Sequence, residues 1–366
     1  MVRATGSGNT DVGSVRDHNE DSFLVDNDLQ LYIVADGMGG HAGGEIASAA
    51  AIDNLRRFML EADPTSPISQ VVEAAVHHTC AHVHALSQTP SGKRGMGSTV
   101  TLLVIHGGRA ILGHAGDSRL YRFRERSVEQ ISTDHTLVQR MVEAGKLKPE
   151  EAEKHPKAHV LVNAVGVSAE CDVDVAAFPA LPGDRFLLCS DGLSKYVDNN
   201  DTLAYFLAME DAGQASHELI KWVLEGDADD NVTVLVVDIR EETMPSAKVE
   251  LAAIQEFETV SFSSGEVLVE AGRDTDTWVI IVSGSAEIWR WGAMLRTLDS
   301  GDSTGASAFL VPRASRGELR GVTAGSYIAI RQDSVQTLPE DKQTALFKLL
   351  AAHLSDVCRF AGVVDL

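Results

Sequence analysis

The sequence predicts an α+β protein of two domains, and three observations carry that reading. Paired apolar runs meet at glycine turns, as in Val100–Ile105, Gly107-Gly108 and Ala110–His114, which is the pattern of antiparallel hairpins. Long stretches with apolar residues at helical spacing stand between the groups of strands. The texture then changes after the charged segment Arg240-Glu241-Glu242-Thr243-Met244-Pro245-Ser246, beyond which short strands recur and one helical pattern closes the chain. The 366 residues are enough for two or three domains with proper cores. We place the first domain at 1–240, a linker at 241–250 and the second domain at 251–366.

The bulk composition narrows the function classes. Hydrophobic residues make up 44%, as in a globular protein. Lys and Arg number 31 against 53 Asp and Glu, a formal charge of -22. That balance argues against nucleic acid or an anionic membrane as the main partner. Cys80, Cys171, Cys189 and Cys358 are scattered without paired spacing and read as reduced thiols of a cytoplasmic protein. The stretch from Met1 to Asp17 has no apolar core of a signal peptide, and no apolar run is long enough to span a bilayer.

In chain order, Arg16-Asp17-His18-Asn19-Glu20-Asp21 runs into the strand Ser22–Val25, and Asp26-Asn27-Asp28 turns it into the strand Leu31–Val34. That strand ends in Ala35-Asp36-Gly37-Met38-Gly39-Gly40-His41. An Asp that closes a strand and opens into glycines delivers a carboxylate to a fixed point with open backbone around it. Glu45–Glu61 reads as an alanine-rich helix, and Ile68 to Leu86 as an amphipathic one. The second helix carries His78 and His82 four apart. We read them as a solvated face, because no third ligand lies nearby in the sequence.

The return strand Ala110–His114 ends in Ala115-Gly116-Asp117-Ser118-Arg119. A charged helical segment, Thr133–Ala144 and Lys148–Ala152, then reads as a flap over one face of the domain. The buried-type strand Arg185–Cys189 ends in Ser190-Asp191-Gly192, and Asp229-Asp230-Asn231 opens the strand Val232–Val237. Any one of these acids suits a turn. Together, Glu20, Asp21, Asp36, Asp117, Asp191 and Asp230 all stand where a strand starts or stops. Oxygen ligands with few His or Cys point to Mg²⁺ or Mn²⁺. Two such ions polarise a water and clamp a phosphoryl group for in-line attack. Arg16 beside two acids is either a surface ion pair or a planar fork for a phosphate dianion.

These motifs, in this order over roughly Thr5 to Arg240, resemble the metal-dependent serine/threonine protein phosphatases of the protein phosphatase 2C family in its bacterial form. The resemblance rests on Arg16-x-x-Asn19-Glu20-Asp21, Val34–His41, Gly97-Ser98-Thr99, Gly113–Arg119, Asp134-His135-x-Leu137-Val138, Ser190-Asp191-Gly192-Leu193 and Asp230-Asn231-Val232-Thr233. It implies a four-layer α-β-β-α sandwich with two Mn²⁺ or Mg²⁺ ions at one end and a third in bacterial members. By position, Asp36 bridges both ions and the Gly37 carbonyl joins one. Asp191 and Asp230 complete that shell, and Glu20 and Asp21 act through the second ion and its waters. Asp117 helps bind the third ion, and Arg16 holds the substrate phosphate. The partners implied are phosphorylated proteins, the substrates of a serine/threonine kinase. Animal members keep a general-acid His after the Asp-Gly. Here that position is Met38, which leaves His41 either as the acid or as a turn histidine. Where the family's flap often ends in an Arg before Ala-Leu-Gly, this chain has Asn163-Ala164-Val165-Gly166. A non-catalytic phosphoprotein-binding module and a small-molecule phosphomonoesterase are the alternatives.

The second domain reads as a small β-roll with C-terminal helices, Leu346, Leu349, Leu350, His353 and Leu354 sharing one helical face. It resembles the cyclic-nucleotide-binding domains through Phe262-x-x-Gly265-Glu266-x-Leu268-x-x-x-Gly272, Val282–Ala286, Gly301-Asp302 and Pro312-Arg313-Ala314-Ser315. In that family a Gly-Glu holds the ribose and an Arg the cyclic phosphate. Here Arg313 remains, but Gly305-Ala306 stands where Gly-Glu is expected. We therefore favour a degenerate regulatory or interaction domain over a cyclic-nucleotide sensor.

Overall fold

The computed structural model describes residues 2–39, 43–63, 66–152, 155–197, 199–241, 248–249, 251–254, 257–310, 313–315 and 317–360. Side chains are described at all of these except 252–253, 274, 307, 313–314 and 355–360. The chain divides into two compact units: Met1–Leu60 with Ile68–Glu242, and Thr243–Leu366 with Glu61–Pro67. The linker placed at 241–250 falls almost wholly outside the described residues.

The first unit runs β1 (Val2–Asp11), β2 (Asp21–Asp26), β3 (Leu31–Met38), α1 (Gly43–Glu61), α2 (Ile68–Ser87), β4 (Gly97–Ser98), β5 (Val100–His106), β6 (Arg109–Ala115), β7 (Arg119–Arg124) and β8 (Ser127–Gln130). It continues with α3 (Leu137–Glu143), α4 (Pro149–Ala152), β9 (Asp174–Pro179), β10 (Arg185–Cys189), α5 (Asp191–Ser194), α6 (Asn200–Leu207), α7 (Ala212–Leu224) and β11 (Val232–Glu241). One sheet has the order β1-β11-β10-β7-β8, and the other β2-β3-β5-β6-β9 with β4 paired to β3.

The two sheets stack because their strands alternate. On β10, Phe186 and Leu188 face the opposite sheet, where they meet Tyr32, Val34, Leu103 and Leu112. Leu187 and Cys189 face the other way, onto Leu203, Leu219 and Val223 of α6 and α7. The same alternation divides Leu235 and Val237 of β11 from Val234 and Val236, as a period of two requires. On the far face of the second sheet α2 packs against β6, where Gly113 leaves room for Val72. Thr79 of α2 donates to Asn54 Oδ1 of α1 at 2.9 Å, tying the two helices together. The layers are therefore helices, sheet, sheet, helices.

Of the strands absent from the sequence reading, two in the first unit show why. The stretch read as a Gly/Ser/Thr-rich N-terminus is the ten-residue strand β1, in register with β11 from Val2 opposite Glu241 to Asp11 opposite Val232. Gly6 and Gly8 hide it from a hydrophobic pattern. A Cβ at Gly6 would lie 2.5 Å from the Tyr32 ring, and one at Gly8 2.7 Å from the Phe23 ring. The apolar partners of β1 thus come from the facing sheet and fill the glycine gaps. The other is β9, a largely exposed edge strand that ends in Pro179, as edge strands tolerate.

The second unit runs β12 (Thr259–Phe262), β13 (Val267–Val269), β14 (Asp274–Thr275), β15 (Thr277–Ser283), β16 (Ala286–Arg290), β17 (Ala293–Leu298) and β18 (Ser303–Thr304). After it come α8 (Ala306–Leu310), β19 (Arg313–Ala314), β20 (Glu318–Gly321), β21 (Gly325–Arg331), α9 (Gln332–Gln336) and α10 (Glu340–Phe360). Its sheets have the orders β12-β21-β15-β18 and β13-β20-β16-β17, with β14 and β19 as a separate pair. Trp278 and Ile280 of β15 share a core with Phe309, Leu346 and Leu350, while Val279 and Ile281 pack with Leu298 and Leu319. The predicted helical face is in place: Leu349 and Leu354 flank that core, and His353 Nε2 lies 3.0 Å from Ser303 Oγ. No helix among the described residues is long and apolar enough to cross a membrane.

Candidate metal centre

The hairpin of β2 and β3 sets Asp21 directly opposite Asp36. Asp36 is pinned through its backbone. Its N–H donates to Thr99 Oγ1 at 2.9 Å, and its carbonyl accepts from the Thr99 N–H at 2.9 Å and from Ser98 Oγ at 3.0 Å. The motif Gly97-Ser98-Thr99 therefore works as a bracket behind the carboxylate. Asp21 is held through its side chain: Oδ2 accepts from Ser190 Oγ and Thr233 Oγ1, each at 2.7 Å. Ser190 closes β10 and Thr233 lies on β11, so the register of three strands delivers both hydroxyls.

The other acids arrive from neighbouring strand ends. Asp191 opens α5 directly after β10, Asp230 precedes β11, and Asp117 lies buried in the turn between β6 and β7. Asn231 fixes the entry loop. Its Oδ1 accepts from the Glu20 N–H at 2.8 Å, and its Nδ2 donates to the carbonyls of Val12 and His18, both at 2.9 Å. Gly37 cannot carry a side chain here, since a Cβ would lie 2.2 Å from the Gly44 carbonyl oxygen and 2.4 Å from that of Glu20. The Glu20 carboxyl itself lies against Gly44 at the start of α1.

The electrostatics follow from this crowding. Burial, then Asp21, Asp191, Asp117 and Asp230 in turn, drive the Asp36 carboxyl well above the usual range. Burial pushes Asp117 up to about 8, with Asp191 and Asp134 adding to it. Burial raises Asp21 to about 6, against the two hydroxyl hydrogen bonds that favour its charge. Burial raises Asp191 as well, with Lys195 opposing the shift and Asp230 adding to it. Carboxylates packed this way repel one another and are complementary to cations. No three His, Cys, Asp or Glu side chains among the described residues close on a single point. Spaced carboxylates beside the Gly37 backbone suit hard ions that keep several waters, as Mg²⁺ does.

The rim carries cations of its own. Arg16 Nη2 is 2.9 Å from Asp230 Oδ1, so the structure puts the predicted phosphate ligand at the edge of the site. Lys195 Nζ is 2.6 Å from Asp229 Oδ1 and 3.5 Å from Asp230 Oδ2, and Tyr196 Oη donates to the same Asp229 oxygen at 2.9 Å. His159 Nδ1 is 3.9 Å from Asp191 Oδ2. A cavity of about 410 Å³ opens beside Asp117, Asp191 and Lys195, and Val138, Val142 and Pro149 of the flap line it too. Of the predicted site residues, the fold brings Asp21, Asp36, Asp117, Asp191 and Asp230 together, with Glu20, Gly37 and Arg16 adjoining. His41 lies outside the described residues, as does the side chain of Arg313, whose backbone pairs with Thr275 in the second unit. His78 Nδ1 is engaged with Asn54 Oδ1 at 2.9 Å. Sequence reasoning gave no role to Ser190, Thr233, Asn231, Lys195, Tyr196 or His159. For all of them but His159, which lies far from both motifs in sequence, the signal was adjacency to the Asp191 and Asp230 motifs.

The family model for protein phosphatase 2C matches residues 8–223. The chain belongs to the protein phosphatase 2C family. Among its curated relatives, the serine/threonine protein phosphatase PstP of Mycobacterium tuberculosis is 37% identical over 230 residues, 63% of this chain. The match spans only 44% of PstP, less than half its length. Protein phosphatase PhpP of Streptococcus pneumoniae is 32% identical over 239 residues, covering 64% of this chain and 96% of PhpP. Among solved structures, the catalytic domain of PstP in complex with two manganese ions superposes with a TM-score of 0.59 at 35% identity, over 66% of this chain and all of that one. These matches span about two thirds of this chain.

Proposed function

We propose that this chain hydrolyses phosphoserine and phosphothreonine in proteins, with Mn²⁺ or Mg²⁺ held by the carboxylates around Asp36. The observation that carries the reading is that cluster of buried acids, whose charged forms repel one another and would be stabilised by bound cations. The printed names of PstP and PhpP as protein phosphatases support it. Divalent ions bound there supply a hydroxide near neutral pH and neutralise the phosphoryl charge. Asp36, the Gly37 carbonyl, Asp191 and Asp230 hold one ion, Glu20 and Asp21 serve a second through waters, and Asp117 a third. Arg16 turns its fork toward the substrate phosphate, and His41 is the candidate donor of a proton to the leaving oxygen. The substrates are products of a serine/threonine kinase, and the setting is the cytoplasm.

The test is turnover by the purified chain with Mn²⁺, comparing phosphopeptides with sugar phosphates. Phosphopeptide hydrolysis lost in Asp36→Ala and Asp191→Ala is the expected result. Hydrolysis of sugar phosphates alone would make it a small-molecule phosphomonoesterase, and no turnover at saturating Mn²⁺ would make it a phosphoprotein-binding module.

For residues 251–366 we propose a degenerate β-roll of the cyclic-nucleotide-binding kind that regulates or targets the first domain, 1–240. Two antiparallel four-stranded sheets with α8 at the Gly305-Ala306 position support it. Calorimetry with cyclic AMP and cyclic GMP tests this: micromolar binding lost in Arg313→Ala would make the domain a working sensor.

A further inference from the structure

Cys80 and Cys171 lie far apart in the sequence, yet the fold seats them side by side. The loop that returns from the flap to β9 packs along α2. Gly166, at φ +87°, sits so close to Val83 that a Cβ would lie 2.4 Å from Val83 Cγ1. Its carbonyl oxygen is 3.2 Å from His84 Nδ1, one helical turn after Cys80. The Cys80 thiol donates to the Ser168 carbonyl with Sγ···O of 3.4 Å, and Cys171 follows three residues along the same loop, close enough for the two thiols to interact. Both cysteines are free, Cys80 buried and Cys171 half-buried.

Cys171 has access to solvent. It lines an open cavity of about 1130 Å³ together with Met38, His77, Asn163 and Asp172. The same loop also reaches the bracket behind Asp36. Val165 and Ser98 exchange two backbone hydrogen bonds of 2.9 Å, and Asn163 holds the backbone of Asp172 with bonds of 2.8 and 3.0 Å. The Cys171 thiol draws the Cys80 thiol down to about 7, against its burial. Cys189 is the contrast: burial in the sheet pushes it up to about 12, and it has no sulfur partner among the described residues.

We propose that Cys80 and Cys171 are a peroxide-oxidisable dithiol whose disulfide ties the loop returning from the flap to α2. The thiolate attacks one oxygen of hydrogen peroxide and breaks the O–O bond, giving a sulfenic acid and hydroxide, which takes up a proton to become water. The second sulfur then attacks the sulfenic sulfur, forming the S–S bond and expelling the oxygen as a second water. Two thiols lose two protons and two electrons, and one peroxide becomes two waters.

The test uses the full, reduced chain treated with a few equivalents of hydrogen peroxide, quenched by alkylation and mapped by mass spectrometry without reduction. A cross-link joining the Cys80 and Cys171 peptides, reversed by dithiothreitol, is expected, with slower amide exchange over residues 166–172 in the oxidised protein. Cys171→Ser should remove the cross-link and leave at most a single added oxygen on the Cys80 peptide, read by mass. Cys80→Ser is the reciprocal control. Peptides oxidised singly without a cross-link, or Cys171 bridged to Cys358, would overturn the proposal. The readout is covalent mass, so it stands apart from the phosphatase reading.

Discussion

Asp21 shows how the site is built at the scale of one residue. Its carboxylate is buried, and two hydroxyls aim at one of its oxygens, so its position is set before any ion arrives. Thr233→Val should therefore weaken Mn²⁺ affinity or activity by roughly 10–100-fold, the range of outer partners of metal ligands. Titration of Mn²⁺ against activity reads this, and an unchanged curve would remove Thr233 from the design. Asp36→Asn should lower turnover by more than ~100-fold, beyond that outer-partner range. The metal-free protein should melt at the same temperature or higher, because a repelling charge is gone. His114 provides a pH test. It is fully buried, with Nε2 3.1 Å from the Thr133 carbonyl oxygen, and burial lowers it to about 4 from an ordinary 6.5. The unfolded chain binds the proton first as pH falls, so this contribution is complete above about pH 6.5 and drains away toward pH 4. It amounts to roughly 3 kcal/mol at one unit per 1.36 kcal/mol. Urea midpoints of His114→Gln should depend less steeply on pH than those of the parent between pH 7 and 5. The acids were legible in the sequence because each closes or opens a strand. Ser190, Thr233 and Asn231 were not, because a hydroxyl or amide acquires its role only from the register of strands distant in the chain.

At the scale of elements, the helices and hairpins could be read because their apolar residues are their own. The strand β1 could not, since its core contacts are lent by Tyr32 and Phe23 across the sheets. Gly6→Val should cost about 1–3 kcal/mol through overpacking against Tyr32, seen as a lower urea midpoint at unchanged slope. A neutral outcome would mean that the Tyr32 ring moves aside without cost. The flap was legible as charged helical sequence, and α3 carries the capping Thr136 expected of it, whose Oγ1 accepts from the Gln139 N–H at 3.2 Å. That it forms a wall of the cavity beside Asp191 was beyond sequence reasoning, because no periodicity encodes which face a loop covers.

At the scale of the molecule, each unit has its own core, one around Phe186 and Leu235 and one around Trp278 and Leu346. Calorimetry of the full chain should show two transitions, with Mn²⁺ raising only the one that belongs to the first unit. A single transition that moves as a whole would contradict this. The change of texture after Arg240 was readable because composition shifts at that point. Which residues pack together inside a unit is set by its strand register, and composition does not carry it.

The pairing of Val2 with Glu241, and the hold of Asn231 on Val12, His18 and Glu20, also bear on synthesis at the ribosome. Within this unit, β1 waits for its last strand, β11. Until Asn231 and β11 have left the exit tunnel, the loop that bears Glu20 has no anchor, and Asp21 lacks its Thr233 hydroxyl. A nascent chain thus completes every earlier strand of this unit before the carboxylate cluster can assemble.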